Sequence, residues 1–189
     1  NLERAKESTI HSDLGIEQGN YAVLTLHRPS NVDNCESFAQ IISALEQIGG
    51  KIPLVFPLHP RTSNRADEFG LKQRLEAIPN IILTAPAGYL DFISLMANSK
   101  MVLTDSGGLQ EETTALGIPC LTLRENTERP ITVTEGTNTI VGNSTDAIVT
   151  AADEILNSGG KAGRIPELWD GKTAPRIADI LSEYISKTD

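Results

Sequence analysis

TDSGGLQEETTALGIPC, residues 104–120, is the stretch whose reading decides the fold. Ahead of it Met101-Val102-Leu103 is an apolar run long enough for a buried strand. Leu109 to Leu116 then read as a helix, and Pro119 to Leu123 as the next strand. A strand, a tight glycine turn and a helix form the arrangement that binds phosphate. The unpaired N–H groups of the first helical turn point outward, and the helix dipole favours negative charge there. Ser106 can cap the helix or donate its hydroxyl to a phosphoryl oxygen, and Gly107 and Gly108, lacking a Cβ, permit close approach of the backbone. Glu111 and Glu112 follow within a turn, and a carboxylate beside a bound nucleotide suits a ribose diol. A purely structural glycine turn is the competing reading, and the stretch alone favours anion binding only narrowly.

Working outward, the same alternation repeats. Apolar runs at Tyr21–Leu26, Pro53–Leu58, Ile81–Leu83, Met101–Thr104, Cys120–Leu123 and Thr139–Val141 read as six strands. Helical spacing joins them: Phe38, Ile41, Ile42, Leu45 and Ile48, closed by Gly49-Gly50; one or two short helices between Arg61 and Ala77; Leu90, Ile93 and Met96. Pro29 disfavours helix at Arg28, so a loop is expected there, whereas Pro130 suits the first position of a short helix. Thr145 to Asn157 reads as a helix with Ile148, Ala151, Ile155 and Leu156 inward. Ile177, Ile180, Leu181, Tyr184 and Ile185 mark a final amphipathic helix. Apolar strands without alternation, separated by helices, imply a parallel sheet covered on both faces. The expected fold is therefore α/β, a doubly wound, Rossmann-like parallel sheet of about six strands. Residues 1–20 are polar and read as a linker or N-terminal segment outside the core, with His11 solvated; residues 21–189 form the domain.

Composition narrows the function. A net charge of −9 argues against nucleic acid, so an anionic ligand must be held by local donors rather than by the overall field. No apolar run approaches a membrane span, and the charged opening Asn1-Leu2-Glu3-Arg4 reads as a helix start rather than a secretory leader. The two cysteines show no metal spacing, and Cys120 reads as a small core residue. Cytoplasm is the default compartment.

Ligands of doubly wound sheets bind beyond the carboxyl ends of the strands. There the sequence places His27-Arg28, His59-Pro60-Arg61, Gly88-Tyr89, Asp105-Ser106-Gly107-Gly108 and Arg124 through Arg129. Each has a bland explanation singly, but histidines, arginines and a glycine turn gathered on one edge suit an anion.

LTLHRPSNVDN, FPLHPRT, LTDSGGLQEETTALGIPCLTLRENTERP and EGTNTIVG, in this order, with WDGKTAPRI near the end, resemble the C-terminal half of a non-hydrolysing UDP-N-acetylglucosamine 2-epimerase. The resemblance runs from about Tyr21 to about Tyr184. It implies two Rossmann-like domains in the glycosyltransferase-B arrangement, of which this chain is similar to the second, with the nucleotide sugar in the cleft between them. Ser106, Gly107 and Gly108 then match the turn that holds the UDP phosphates, and Glu112 the carboxylate that takes the ribose hydroxyls. Arg129 matches a phosphate-side arginine, Phe92 a residue beside uracil, and His27 an active-site histidine. Arg28 and His59 fall where bacterial members contact a second, allosteric UDP-sugar, although HRPSNVD departs from the sequence that many allosteric members carry.

The implied reaction interconverts UDP-GlcNAc and UDP-ManNAc by eliminating and re-adding UDP, in polysaccharide biosynthesis. It needs no metal or redox cofactor. Its acid–base carboxylates belong to the N-terminal domain, which this chain lacks, so the chain alone is expected to be inactive and the full-length enzyme a homodimer. Two rivals remain open: the donor domain of a UDP-sugar glycosyltransferase, and a non-catalytic UDP-sugar binding or sensor module.

Overall fold

The computed structural model describes residues 1–187. Two short helices open it, α1 (Leu2–Ala5) and α2 (Ile10–Leu14). The strands are β1 (Ala22–Thr25), β2 (Leu54–Pro57), β3 (Ile81–Thr84), β4 (Met101–Thr104), β5 (Cys120–Thr122) and β6 (Asn138–Ile140). After β1 come α3 (Pro29–Val32) and α4 (Cys35–Gly49); after β2, α5 (Pro60–Glu68) and α6 (Lys72–Glu76). Then α7 (Tyr89–Ala97) follows β3, α8 (Gly107–Leu116) follows β4 and α9 (Pro130–Thr134) follows β5. Last come α10 (Thr145–Ser158) and α11 (Thr173–Ser186).

All five strand pairings are parallel, in the order β3-β2-β1-β4-β5-β6. This is the doubly wound, Rossmann-like arrangement that the apolar runs predict. Successive strand residues face opposite sides of the sheet, and both sides are packed. Leu24, Leu54, Phe56 and Leu103 lie under α4 and α10, while Val23, Val55 and Val102 lie under α7. The α4 helix starts where Asn34 caps it, its side-chain oxygen accepting from the Ser37 amide at 2.9 Å, and Phe38, Ile41, Ile42, Leu45 and Ile48 are fully buried. Cys120 is buried in β5, and burial pushes its thiol up to about 11.

Three features differ from what the sequence suggests. The opening segment joins the core: Ala5 is buried, and Ile10, Leu14 and Ile16 pack against the α7 side. His11 is buried rather than solvated. The buried Tyr21 hydroxyl donates to the Leu95 carbonyl at 2.6 Å, so His11 Nε2–H, at 2.8 Å, is the donor to that hydroxyl. Burial lowers the pKa of His11. Tyr21 needed a polar partner within the core, and the pattern of a polar segment does not reveal which residue supplies it. Second, the loop expected after Arg28 contains α3; Arg28 stays extended (φ −71°, ψ 135°), and Pro29 takes the first helical position, which needs no N–H. Third, α11 forms, but Ile177, Ile180, Leu181 and Ile185 are each more than half exposed. The apolar stripe lies off the sheet domain.

Gly49 ends α4 in a position that admits no side chain: a Cβ would sit 2.3 Å from the Pro79 carbonyl oxygen and 2.9 Å from Ile78 Cγ2. Gly→Ala inside a helix ordinarily gains roughly 0.5–1 kcal/mol. Here overpacking reverses the sign, and Gly49→Ala is expected to lose about 1–3 kcal/mol. Gly50→Ala, whose nearest neighbour would lie at 3.5 Å, serves as the control that keeps or raises stability. Urea midpoints measure both; a higher midpoint for Gly49→Ala would refute the clash.

Candidate functional site

The sheet order reverses between β1 and β4, so the residues following these two strands emerge side by side. There a pocket of about 270 Å³ is lined by His27 after β1, His59 after β2, Pro86 and Ala87 after β3, and Ser106 after β4, with Phe92 and Leu109 as apolar walls. The His27 and His59 rings stand 6.0 Å apart, tilted by 42°. Of the residues singled out in the sequence, His27, His59, Phe92 and Ser106 are thus brought together.

Asp105, the first residue past β4, organises this corner and is itself fully buried. Its Oδ2 accepts from the His27 amide at 3.0 Å, the Arg28 amide at 2.8 Å and Asn31 Nδ2 at 3.3 Å. Its Oδ1 lies 3.0 Å from His27 Nδ1. The sequence pattern gives Asp105 no role of its own. The signal it does carry is an acidic residue directly after an unbroken apolar strand, which a buried carboxylate with waiting donors explains.

Ser106 is the N-cap of α8, with extended backbone (φ −83°, ψ 129°) and no capping bond from its side chain. Its hydroxyl and the first-turn amides behind it therefore remain available for a ligand. Neither Gly107 nor Gly108 has a left-handed φ. A Cβ on Gly108 would meet nothing within 4 Å, and one on Gly107 would come only within 3.8 Å of Glu128 Oε2 and 4.0 Å of Arg28 Nη2. Nothing inside the fold requires these glycines.

Beside this turn stand Arg28, Arg124 and Glu128. Arg124 donates to Glu128 through Nη1 at 2.8 Å and Nη2 at 2.7 Å. The Arg124 guanidinium, foremost, and Arg28, more weakly, hold the Glu128 carboxyl down to about 2. Arg124 is raised in turn by Glu128 first and, less, by Asp105. Arg28 Nε is buried with no hydrogen-bond partner. The loop carrying these groups is anchored from inside: the buried Gln110 Oε1 accepts from Thr127 Oγ1 and from Asn138 Nδ2 at 3.1 Å.

Glu112 and Arg129 stand apart from the pocket. Glu112, one turn beyond Leu109 on α8, lines a shallower depression with Ala115, Leu168 and Trp169. Burial first, and Glu111 second, push its carboxyl up. Arg129 pairs with Glu111 at 3.0 Å on the surface. His59 is also engaged within its own loop, where its Nδ1 accepts from the Arg61 amide at 3.1 Å and caps α5. Among the described residues no group of three His, Cys, Asp or Glu is placed to hold a metal ion, and no helix is long and apolar enough to cross a membrane.

Comparison with known proteins agrees with this fold. The sequence profile of the UDP-N-acetylglucosamine 2-epimerase family matches residues 1–182. A UDP-N-acetylglucosamine 2-epimerase of Methanocaldococcus jannaschii is 41% identical over 164 residues, covering 86% of this chain and 44% of that protein. A UDP-2,3-diacetamido-2,3-dideoxy-D-glucuronate 2-epimerase of Pseudomonas aeruginosa is 38% identical over 175 residues, covering 91% of this chain and 46% of that protein. The chain thus spans about half the length of the curated relatives it matches. Among solved structures, the M. jannaschii UDP-GlcNAc 2-epimerase in complex with UDP-GlcNAc and UDP superimposes with a TM-score of 0.83 at 37% identity, covering 97% of this chain and 51% of that one.

The Arg124–Glu128 pair yields a pH prediction. A carboxyl whose folded value is depressed stabilises the fold above its ordinary value, here 4.5, and loses that contribution as pH falls toward about 2. Carboxyl ¹³C NMR should show Glu128 titrating near that low value, and Arg124→Met should move the midpoint toward 4.5. A midpoint indifferent to Arg124→Met would show that the guanidinium is not the cause.

Proposed function

This chain belongs to the UDP-N-acetylglucosamine 2-epimerase family, and we propose that it is the UDP-gripping half of an enzyme that interconverts UDP-GlcNAc and UDP-ManNAc. The observation that carries the reading is the convergence of His27, Phe92 and Ser106 around the open first turn of α8, where the sheet order reverses. In this reading the diphosphate lies over Ser106, Gly107 and Gly108, because those amides are free and the glycines have no other reason to be glycine. The uracil packs against Phe92. Glu112, already partly desolvated, accepts from the ribose hydroxyls. Arg129 exchanges Glu111 for a phosphate oxygen, and Arg28 and His59 flank the same edge as candidate contacts for a second UDP-sugar.

The chemistry follows from where charge develops. Eliminating UDP to leave a glycal builds negative charge on the departing β-phosphate, and re-addition on the other face inverts C2. Amide donors fixed before the reaction stabilise that charge more than donors that must reorganise. His27 faces the sugar diphosphate. Moving the C2 proton needs positioned acids and bases, which we assign to carboxylates of a partner N-terminal Rossmann-like domain closing over this one in a homodimeric, cytoplasmic enzyme. The sugar is GlcNAc in the first reading. A modified N-acetyl sugar is the second, favoured by the likeness to the Pseudomonas aeruginosa enzyme named for a diacetamido uronate.

Two outcomes test the proposal. Glu112→Gln should weaken UDP binding by about 1–3 kcal/mol in calorimetry, the scale of a lost charged hydrogen bond. The same substitution should cost much less against 2′-deoxy-UDP; equal losses for the two nucleotides would remove the 2′-hydroxyl contact. Next, this 189-residue chain incubated with UDP-GlcNAc should bind it without forming UDP-ManNAc, read from the anomeric protons by NMR. Clear formation of UDP-ManNAc would place the proton-transfer groups on this domain instead.

A further inference from the structure

The Asp105 carboxylate is approached from every side: the His27 and Arg28 amides and Asn31 Nδ2 donate to Oδ2, the His27 amide also reaches Oδ1 at 3.2 Å, and His27 Nδ1 stands 3.0 Å from Oδ1. It is fully buried, whereas the His27 side chain is 38% exposed and lines the pocket. We propose that Asp105 is the positioning residue for His27: it holds the imidazole proton on Nδ1 and so presents a bare Nε2 to the UDP-sugar pocket. The inference rests on the reading of His27 as a group facing the sugar diphosphate, and it adds what that group can do.

The argument is one of hydrogen-bond accounting. An ionised carboxylate accepts only, so whatever ring nitrogen it meets must carry a proton. Nδ1–H is required whether the ring is neutral or cationic; in the neutral ring Nε2 is then a lone pair, an acceptor for a substrate hydroxyl or proton. The neighbouring ring is set the other way. His59 Nδ1 accepts from the Arg61 amide at 3.1 Å, so its proton sits on Nε2. Two imidazoles 6.0 Å apart thereby offer the pocket one acceptor and one donor. Asn in place of Asp105 would keep its oxygen on the two backbone amides and turn its NH₂ toward the ring. A ring facing a donor must receive with Nδ1, which moves the proton to Nε2, the wrong-tautomer outcome known for Asp–His pairs.

The test reads the tautomer directly. The chain holds three histidines, so ¹⁵N-histidine labelling gives a short spectrum, assigned with His27→Asn and His59→Asn. Long-range ¹H–¹⁵N spectra are recorded at about pH 8, where an ordinary imidazole is neutral. Native His27 should show a protonated Nδ1 and a bare Nε2, and His59 the reverse. In Asp105→Asn the His27 pattern should invert while His11 and His59 keep theirs, which a general loosening of the fold would not produce. A bare Nδ1 in native His27 overturns the proposal without any variant, even if Asp105→Asn fails to fold. An unchanged His27 tautomer in folded Asp105→Asn overturns it as well. Saturating UDP-GlcNAc separates the two readings: inversion in the variant, with native His27 nitrogens unmoved by the ligand, upholds Asp105 as the positioning group and removes His27 from the sugar site.

Discussion

A buried carboxylate ties the end of β1 to the end of β4, and the candidate site depends on it. Burying Asp105 would cost several kcal/mol if the charge stood alone. The cost is offset because the chain turns two consecutive amides, those of His27 and Arg28, toward it, with Asn31 closing the remaining side. The same bonds fix the direction in which the chain leaves β1. At the last residues of the same two strands, the Thr25 and Thr104 hydroxyls meet at 2.6 Å, and the Ser106 amide donates to Thr104 Oγ1 at 3.0 Å. The turn into α8 is thus held from inside, which leaves its outer face for a ligand.

In the proposed function that face binds an anion on a chain whose net charge is −9, so the attraction has to be local. It is also balanced within the protein. Glu128 occupies Arg124 beside the start of α8, and Glu111 occupies Arg129, the next residue of the same loop. A phosphate arriving at the first turn of α8 therefore competes with carboxylates already in place, and its advantage is the array of fixed amides that no exposed glutamate side chain reproduces. Glu112 is the exception, since burial and Glu111 both disfavour its charge. Donors that hydrogen-bond its ionised form, a pair of hydroxyls among them, would offset that penalty.

In the proposed function, elimination and re-addition place different demands on the two sides of a cleft, and this domain would form the leaving-group side. Its contribution is a rigid rim: parallel strands packed on both faces cannot shift individually without disturbing a close-packed interior. Loops rooted in that rim can hold donors to within the tolerance that transition-state stabilisation needs.

The sequence by itself determined the fold class and the six strands within a residue or two, because a buried parallel strand and a helix face leave periodic apolar patterns within a dozen residues; the turn expected at Gly107-Gly108 is instead the opening of α8, which Ser106 caps. It also marked which residues end strands, and so the edge on which the candidate pocket lies. Only the tertiary structure decided how those residues divide. It drew His27, His59, Phe92 and Ser106 into one pocket, set Glu112 on a neighbouring depression, and engaged Arg129 with Glu111. It also buried His11 against Tyr21 and left the apolar stripe of α11 off the sheet. Asp105 shows the reason most clearly. Its partners lie 74 to 78 positions away along the chain, and they meet it because β1 and β4 are neighbours in the sheet. Local periodicity reports which face a residue turns inward, but it carries no information about what will be waiting there.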